Sequence, residues 1–367
     1  MVEDMNLNNI AEQFDLSGDI DSVSAFGNGH INTTYKIETS NCEFDYVLQS
    51  INTDVFKNVG HLSDNISRIL SHIKDKLSLV FPSDEIYRRS LTLVETKSGE
   101  KYYKDDKGIY WRVFIFISNS ETIEFFKNEE YAYLAGAAFG DYQWMLSDLP
   151  SHLLYDTIPN FHNTTSRIAQ LKKTIAADSH NRLATVQKEV DFLLSFEEEM
   201  NSIIKLGDKG LIPKRIVHQD TKLSNILFDK NGELLCVIDL DTTMPGYLCY
   251  DFGDAVRGGM NTGAEDDENI ENVTVDMKLY KSFVKGYAAT TKNFILESEI
   301  QTLAFGAKLI TYEQSIRFLE DYLNGDVYYK CHKPKHNLIR ARAQIALLQS
   351  IINNYDDMES IVNLAYL

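Results

Sequence analysis

The sequence predicts a mixed α/β fold in two parts, a small β-rich part covering residues 1–118 and a mostly helical part covering residues 119–367. Strand-like apolar runs fall in the first part, at residues 44–50, 91–95 and 110–116, whereas apolar residues recur at helical spacing in the second. A chain of 367 residues with 44% hydrophobic content can bury a sizeable core, and this length favours two domains.

The first part also contains predicted helices. A short amphipathic helix is expected at residues 5–14, followed by a strand at residues 22–26. Residues 55–77 are predicted to form a longer helix, because apolar side chains recur there at helical spacing. These side chains are Leu62, Ile66, Ile69, Leu70 and Ile73. Trp111 and Phe114 are expected in the core.

The second part is predicted to be built from helices. They are expected at residues 121–140, 184–206, 277–290, 297–323 and 335–355. Residues 157–165 have the composition of a loop, and His162 within it is most simply a surface histidine, although it could touch a substrate. The acidic segment 261–272 is expected to be a solvated loop, or else a lid near a substrate.

Composition and charge restrict the partners of the protein. The net charge of -18 argues against nucleic acid or an anionic membrane as a partner. The four cysteines show no CxxC spacing, which is typical of reduced thiols in a cytosolic protein. No apolar run has the pattern of a signal peptide or a membrane span. We therefore expect a soluble, cytoplasmic protein, a monomer or weak oligomer, that binds small molecules.

A kinase-type catalytic motif lies at residues 216–241, which read IVHQDTKLSNILFDKNGELLCVIDLD. In phosphoryl transfer the protein positions the attacking hydroxyl and neutralises charge on the phosphates. Asp220 is the candidate catalytic residue that faces the hydroxyl. Asn225 and Asp239 are the candidate metal ligands, because Mg²⁺ prefers hard oxygen donors. The predicted cofactors are ATP and Mg²⁺.

Two aspartates compete for the metal role. Asn231-Gly232 predicts a tight hairpin that would bring Asp239 back beside Asn225. A literal Asp-Phe-Gly begins at Asp251, but Asp251 follows Asn225 by 26 residues, whereas Asp239 follows it by 14. We therefore predict that Asp251 is structural and holds the segment after the loop through backbone amides.

A glycine-containing turn near the N terminus is the candidate phosphate-binding loop. Gly27, Asn28 and Gly29 lie between two strand-like runs, and glycines let backbone amides approach phosphates. Taken alone, such a turn is more often a plain hairpin. Its position ahead of the catalytic motif favours nucleotide binding.

The sequence departs from the wider kinase pattern at Gln49. This residue stands where a phosphate-pairing lysine is expected, and an amide can hydrogen-bond a phosphate but adds no charge. No glutamate stands at the centre of the 55–77 helix to pair with such a lysine. The cation that contacts the α- and β-phosphates is therefore unassigned. Phe116 and Ser118, in the predicted hinge, are candidate adenine contacts through their backbone groups.

The motif HxDxxxxN, followed by IDLDTxMPG and YDFGD, resembles the aminoglycoside phosphotransferase and choline kinase superfamily. Within it, the segments GNGHINTTY, YVLQSINTDVFKN and RFLEDYLNGDVYY are similar to the N-acetylhexosamine 1-kinases, which also have Gln in the second segment. These segments cover most of the chain in order. The resemblance implies a two-lobed, protein-kinase-like fold.

The resemblance also implies a reaction and a substrate site. N-acetylhexosamine 1-kinases use ATP to phosphorylate the anomeric C1 hydroxyl of N-acetylglucosamine or N-acetylgalactosamine. His30, Arg317 and Tyr328 match positions expected to line the sugar pocket together with Asp220. Arg317 has a plainer alternative, an ion pair with a glutamate on its own helix.

Two other functions are compatible with the sequence. A choline- or aminoglycoside-type kinase would act on a cationic alcohol, and the acidic balance of the chain favours such a substrate. A nucleotide-binding pseudokinase would fit the glutamine at position 49. The retained Asp220, Asn225 and Asp239 argue against a pseudokinase.

Overall fold

The computed structural model describes residues 7–27, 31–126 and 128–367, which divide into two compact units. The first unit comprises the chain up to Thr122 together with His152–Pro159 and Asn225–Met244. The second unit comprises Ile123–Ser151, Asn160–Ser224 and Pro245–Leu367. The first unit is therefore not one continuous stretch, because two later segments return to it.

The helices and strands follow one another in chain order. Up to residue 121 they are α1 (Leu7–Ala11), β1 (Asp19–Ala25), β2 (Thr33–Ser40), β3 (Tyr46–Ile51), α2 (Val59–Leu77), α3 (Ser83–Arg89), β4 (Leu93–Val94), β5 (Tyr103–Lys104), β6 (Tyr110–Ile115) and β7 (Ser120–Glu121). They continue with α4 (Glu129–Met145), α5 (Thr164–Ala177), α6 (Gln187–Ser195), α7 (Glu197–Met200), α8 (Ser202–Asp208), β8 (Arg215–Val217), β9 (Ile226–Asp229), β10 (Leu234–Val237), β11 (Met244–Gly246), α9 (Leu248–Gly259), α10 (Met277–Thr291), α11 (Glu297–Leu323), α12 (His336–Asn353) and α13 (Tyr355–Tyr366).

An antiparallel sheet forms the main body of the first unit. Its strand order is β1–β2–β3–β6–β4, and β5 pairs with the first two residues of β6, Tyr110 and Trp111. The register places Gln49 of β3 between Thr34 of β2 and Arg112 of β6. One face packs around Trp111, which is fully buried, and Phe114 is also buried, so their predicted place in the core is confirmed.

Helix α2 buries the apolar side that its spacing predicts. It begins at Val59 rather than at residue 55, because the side chain of Asn58 accepts a hydrogen bond from the amide of His61 and caps the helix. The five predicted apolar side chains of this helix are all buried. A one-sided apolar stripe on a helix is what a core-facing surface requires.

The predicted hairpin after the catalytic motif is present within the first unit. Strands β9 and β10 are antiparallel, and Gly232 adopts a φ of 83° in the turn between them. The Asp229 carboxylate accepts the amides of Asn231 and Glu233, which fixes the turn. The chain then returns so that the Ile238 amide donates to the Asn225 carbonyl at 2.9 Å.

The second unit is organised around α11, whose side chains are buried on almost every side. Helices α5, α9, α12 and α13 pack against it, and α4 packs against α10. About half of the residues of α11 are apolar, and its buried carboxylates Glu299, Glu313 and Asp321 accept hydrogen bonds from other parts of the unit. Within the described ranges, no helix is long and apolar enough to cross a membrane.

Two predicted helices differ from the observed ones. The helix expected at residues 121–140 begins at Glu129, where the Asn128 side chain caps it. The single helix expected at residues 184–206 is broken into α6, α7 and α8. The breaks fall at Phe196 and Asn201, where the backbone leaves helical geometry and Asn201 binds the hydroxyl of Thr165 at 2.6 Å. The hydrogen bond to Thr165 favours the break at Asn201 over the continuous helix that the spacing predicts.

Helices α4 and α10 approach closely at glycines, and this contact can be tested. A Cβ atom added at Gly286 would collide with the backbone carbonyl of Tyr133. We expect Gly286→Ala to lower the free energy of unfolding by about 1–3 kcal/mol, because the two helices must separate. Gly258→Ala on α9 is the matched control, since its Cβ would meet open space and alanine favours a helix by about 1 kcal/mol. Equal denaturant midpoints for both variants would contradict this account.

Candidate active site

The catalytic loop begins in the second unit, directly after β8. His218 is fully buried, and its ring packs edge-on against Phe139 and Tyr142 at 6.0 and 5.6 Å. Gln219 adopts a left-handed φ of 66°, a conformation that non-glycine residues hold only when surrounding contacts impose it. This turn presents Asp220 at the end of a rigid, buried segment.

Asp251 imposes that conformation. Its carboxylate accepts hydrogen bonds from the backbone amides of His218 and Gln219 at 2.9 and 2.7 Å, and from the Gln143 side chain at 2.8 Å. Burial raises the pKa of Asp251, while these three hydrogen bonds oppose that rise. Asp251 does hold backbone amides, but the prediction that they belong to the segment after the loop is wrong, because they are the amides of His218 and Gln219 in the loop itself.

Asp254 holds Thr221, the residue after Asp220 in the loop. Its carboxylate accepts the amide of Thr221 at 2.8 Å and the guanidinium of Arg257 at 2.8 Å. Burial acts to raise the pKa of Asp254, but the charges of Arg257, Lys222 and His162 bring it below its ordinary value. Asp254 therefore stays ionised and can keep accepting both hydrogen bonds.

Asp220 itself is 18% exposed and forms an ion pair with Lys222 at 2.8 Å. Lys222 was not among the residues that the sequence analysis selected, although it stands only two positions after Asp220. A lysine so close to the candidate base is a cation that could meet a phosphate group. Its spacing within the motif is the signal that could have identified it.

The candidate metal ligands lie together in the first unit. The Ile238 amide donates to the Asn225 carbonyl, so Asp239, the residue after Ile238, lies near Asn225. Asp239 adopts a left-handed conformation, with φ 60° and ψ 58°. One carboxylate and one amide oxygen fit Mg²⁺, which takes few protein ligands and completes its shell with phosphate oxygens and water. Among the residues that the structure describes, no cluster of three or more His, Cys, Asp or Glu side chains could hold a metal ion.

A buried ion pair that the sequence analysis missed lies beside these ligands in the first unit. Arg112 forms two hydrogen bonds to the Asp241 carboxylate, at 2.6 and 2.9 Å, and both side chains are buried. The same guanidinium donates to Gln49 Oε1 at 2.8 and 3.0 Å. A two-pronged contact of this kind fixes orientation as well as charge. An arginine in the middle of an apolar strand is the signal that could have revealed it.

The start of β2 joins the same network. Asn32 donates to Asp241 at 2.7 Å, and Gln49 donates to the Thr34 hydroxyl at 3.2 Å. Gln49 is thus occupied by its neighbours on both strands. Gly27, in the candidate phosphate loop, has a φ of 72°. The other predicted residues of this loop, Asn28, Gly29 and His30, lie outside the described residues.

The two candidate adenine residues sit at the end of β6. The Phe116 ring packs edge-on against Phe26 at 5.6 Å, and the Lys36 ammonium lies 5.0 Å from its centroid. Ser118 is exposed, and its backbone carbonyl accepts a hydrogen bond from Arg88 at 2.7 Å. Their adenine contacts stay a prediction.

The candidate substrate residues of the second unit lie near the end of α11. Arg317 donates to Gln314 at 3.1 Å, and its guanidinium lies over the ring of Tyr329 at 5.5 Å. Tyr328 is 68% exposed, and its amide donates to the buried carboxylate of Asp321 at 2.9 Å. Asp321 thereby fixes the loop that carries both tyrosines.

His162 is not a surface histidine, contrary to the simplest expectation from the sequence. Its side chain is only 8% exposed, and Nδ1 lies 2.8 Å from the Glu313 carboxylate. The hydroxyl of Thr164 donates to the other oxygen of Glu313. The partner of His162 lies 151 positions away in the chain, so no local pattern could have revealed this pair.

Comparison with known proteins defines the class. The fold matches that of the Plasmodium vivax ethanolamine kinase, at 16% identity and a TM-score of 0.54, over 89% of this chain and 82% of that one. It also matches the choline kinase LicA from Streptococcus pneumoniae, at 14% identity and a TM-score of 0.51, over 91% of this chain and 94% of that one. The streptomycin–ATP complex of APH(2″)-IIa gives 15% identity and a TM-score of 0.51 over 98% and 99%. The predicted α/β kinase-like fold, β-rich at the N terminus and helical at the C terminus, is confirmed.

The family follows from the sequence itself. The phosphotransferase enzyme family, APH, matches residues 22–277, which include the whole catalytic motif. The chain belongs to this family of phosphotransferases.

The two aspartates that competed for the metal role should respond differently to the same substitution. Asp251→Asn replaces one acceptor oxygen by an amide NH2 group, a donor that faces a backbone N–H, so we expect the free energy of unfolding to fall by about 1–3 kcal/mol. Asp239→Asn should keep the stability within about 1 kcal/mol, because asparagine tolerates the left-handed conformation. It should instead raise the Mg²⁺ concentration needed for activity. Melting curves and Mg²⁺ titrations of both variants decide the matter, and a stable Asp251→Asn with a raised Mg²⁺ requirement would reverse the assignments.

Proposed function

We propose that the protein transfers the γ-phosphate of ATP to the anomeric C1 hydroxyl of N-acetylglucosamine or N-acetylgalactosamine, which gives the sugar 1-phosphate. Membership of the phosphotransferase family supports the reaction type. The resemblance of three segments to N-acetylhexosamine 1-kinases supports the acceptor. Because the reaction consumes ATP, the proposal places the protein in the cytoplasm.

Asp220 is assigned to the acceptor hydroxyl. A carboxylate at this place orients the hydroxyl and accepts its proton during transfer, as in other phosphotransferases with an HxDxxxxN loop. The buried carboxylates of Asp251 and Asp254 support this role, because they hold the loop amides on either side of Asp220. A base held in this way spends little energy on reorganisation.

Asn225 and Asp239 are assigned to Mg²⁺, which would neutralise charge on the nucleotide phosphates. Arg112 is assigned the role of positioning the segment that carries Asp239, because it donates two hydrogen bonds to Asp241, two residues after Asp239. In other kinases a lysine on the third strand pairs with a glutamate to support the phosphate site. Here Gln49 and Arg112 on adjacent strands, together with Asp241, provide a hydrogen-bonded substitute.

The observation that carries the acceptor assignment is the local charge around Arg317. The neighbouring Arg167 has its pKa lowered by burial and then by the charge of Arg317, so the two guanidinium groups lie within electrostatic reach of each other. Two carboxylates lie near them: Glu313, whose oxygens bond His162 and Thr164, and Glu320, on which both arginines act. A region in which two guanidinium groups offset two carboxylates suits a neutral, hydroxyl-rich acceptor.

A kinase that acts on a cationic alcohol is the alternative. The net charge of -18 favours it, and the structural neighbours include an ethanolamine kinase, a choline kinase and a complex with streptomycin. Charges on the surface are largely screened beyond about 8 Å at physiological ionic strength. The balanced local charge around Arg317, with two arginines and two glutamates, therefore bears on the acceptor more than the charge of the whole chain does. A pseudokinase is disfavoured by the retained Asp220, Asn225 and Asp239.

An acceptor panel separates these functions. We expect ATP consumption with N-acetylglucosamine or N-acetylgalactosamine and little with choline, ethanolamine or streptomycin. Arg317→Leu should lower kcat/KM for the sugar by at least about tenfold, or roughly 1.4 kcal/mol, with nucleotide affinity unchanged. Arg342→Leu is the matched control, because that arginine pairs with Glu189 on an exposed part of α12 and should leave sugar turnover as it is. Turnover of choline but not of the sugars would establish the alternative.

Asp220→Asn tests the reaction type. We expect nucleotide binding and thermal stability to remain near the parent values, while phosphoryl transfer falls on the order of 10²- to 10⁴-fold through loss of the proton acceptor. Single-turnover kinetics and binding of an ATP analogue provide the two measurements. Turnover within a few-fold of the parent would remove Asp220 from the mechanism.

A further inference from the structure

The buried imidazole of His162 carries a polar atom that the fold does not use. Its Nδ1 lies 2.8 Å from the Glu313 carboxylate, whereas its Nε2 is buried and has no hydrogen-bond partner among the described residues. Most buried polar atoms in folded proteins are paired, because an unpaired one costs free energy. An unpaired imidazole nitrogen therefore points to a function outside the fold itself.

Hydrogen bonds and ring contacts fix the orientation of the imidazole. The hydroxyl of Thr164, at the start of α5, binds one oxygen of Glu313, and His162 binds the other. The ring packs between Phe161 at 4.7 Å and Tyr250 at 5.1 Å. Glu313 accepts a hydrogen bond from Nδ1, so Nε2 is the ring nitrogen that can hydrogen-bond a ligand, and a hydroxyl group can serve it as donor or as acceptor. A second group that fixes the tautomer in this way is typical of histidines that bind ligands.

The position of this ring within the second unit connects it to the candidate acceptor residues. Glu313 and Arg317 are four residues apart on α11, so their side chains project from the same face. Tyr250, which contacts the ring, directly precedes Asp251, the residue that holds the catalytic loop. The charge of His162 also reaches Asp254, which holds the amide of Thr221.

We propose that His162 is an acceptor-binding residue whose Nε2 forms a hydrogen bond with a hydroxyl group of the acceptor, with Glu313 as its positioning residue. This inference rests on the proposed sugar kinase function and adds a specificity contact to it. Nε2 is covered in the chain as described, so the acceptor must displace a neighbouring side chain. The partly exposed ring of Phe161 is the group that we expect to move.

A purely structural role predicts a different result. It predicts that His162→Phe loses stability, because Glu313 loses a partner, and that acceptor recognition does not change selectively. An acceptor-binding role predicts a change in KM for the acceptor that only the histidine variants show. Thr165→Val is the control on the same helix, because its hydroxyl bonds Asn201 and makes no contact with the imidazole cluster.

The experiment measures KM and kcat for N-acetylhexosamine and for ATP in the parent, His162→Phe, His162→Gln and Thr165→Val. We expect His162→Phe to raise KM for the sugar at least about tenfold with KM for ATP unchanged, His162→Gln to recover part of the loss, and Thr165→Val to change neither value beyond about twofold. Deoxy sugars that each lack one hydroxyl identify the contact, because the analogue without the bound hydroxyl should be used equally well by the parent and His162→Phe.

A second measurement avoids variants that do not fold. In parent protein labelled with ¹⁵N-histidine, the Nε2 signal that His162→Gln lacks should shift when the sugar saturates the enzyme. An active parent whose His162 signal does not move, or whose His162→Phe variant keeps the parent KM for sugar, overturns the inference and leaves the proposed function intact. A parent that phosphorylates no N-acetylhexosamine overturns the proposed function and this inference together.

Discussion

The hydrogen bonds from the catalytic-loop amides to two buried carboxylates are the constraint on which the second unit depends. Asp251 binds the amides of His218 and Gln219, and Asp254 binds the amide of Thr221. Burying a carboxylate costs several kcal/mol unless donors surround it. The loop amides supply those donors, so the loop conformation and the ionisation of the carboxylates stabilise each other. Gly253, between the two aspartates, lets α9 approach the backbone of α11, which anchors the arrangement in the helical core.

The first unit has a glutamine, Gln49, where the wider kinase pattern has a lysine. A glutamine at that position cannot supply charge, but its carbonyl oxygen can orient a guanidinium from the neighbouring strand. Arg112 then binds Asp241 with two parallel hydrogen bonds, a geometry that lysine cannot match. The ion pair therefore links the central sheet to the segment after Asp239. Its cost of desolvation is offset by the additional bonds from Gln49 and Asn32.

Local charge and total charge lead to opposite expectations for the acceptor. The acidic surface would attract a cation at long range, which affects the rate of encounter more than the selectivity of the site. Selectivity arises from the groups that touch a ligand, and around Arg317 two arginines, Arg167 and Arg317, offset two glutamates, Glu313 and Glu320, so the local charge does not single out an ammonium group. A sugar, with several hydroxyls and no charge, matches donors and acceptors held in fixed positions.

The sequence by itself determined the features that depend on short-range spacing. The Asn231-Gly232 hairpin, the buried face of α2 and the bounds of α11 at Glu297 and Leu323 follow from turn chemistry and helical periodicity. The residue types of the catalytic loop likewise follow from the chemistry of phosphoryl transfer. Only the tertiary structure decided that the helix expected at residues 184–206 breaks in two places, and the break at Asn201 coincides with a hydrogen bond to Thr165 of α5. It also decided the pairing of Arg112 with Asp241, 129 positions apart, and of His162 with Glu313, 151 positions apart. Such pairs form because the packing of strands and helices buries polar groups that must then find partners, and no local pattern encodes which partner is near.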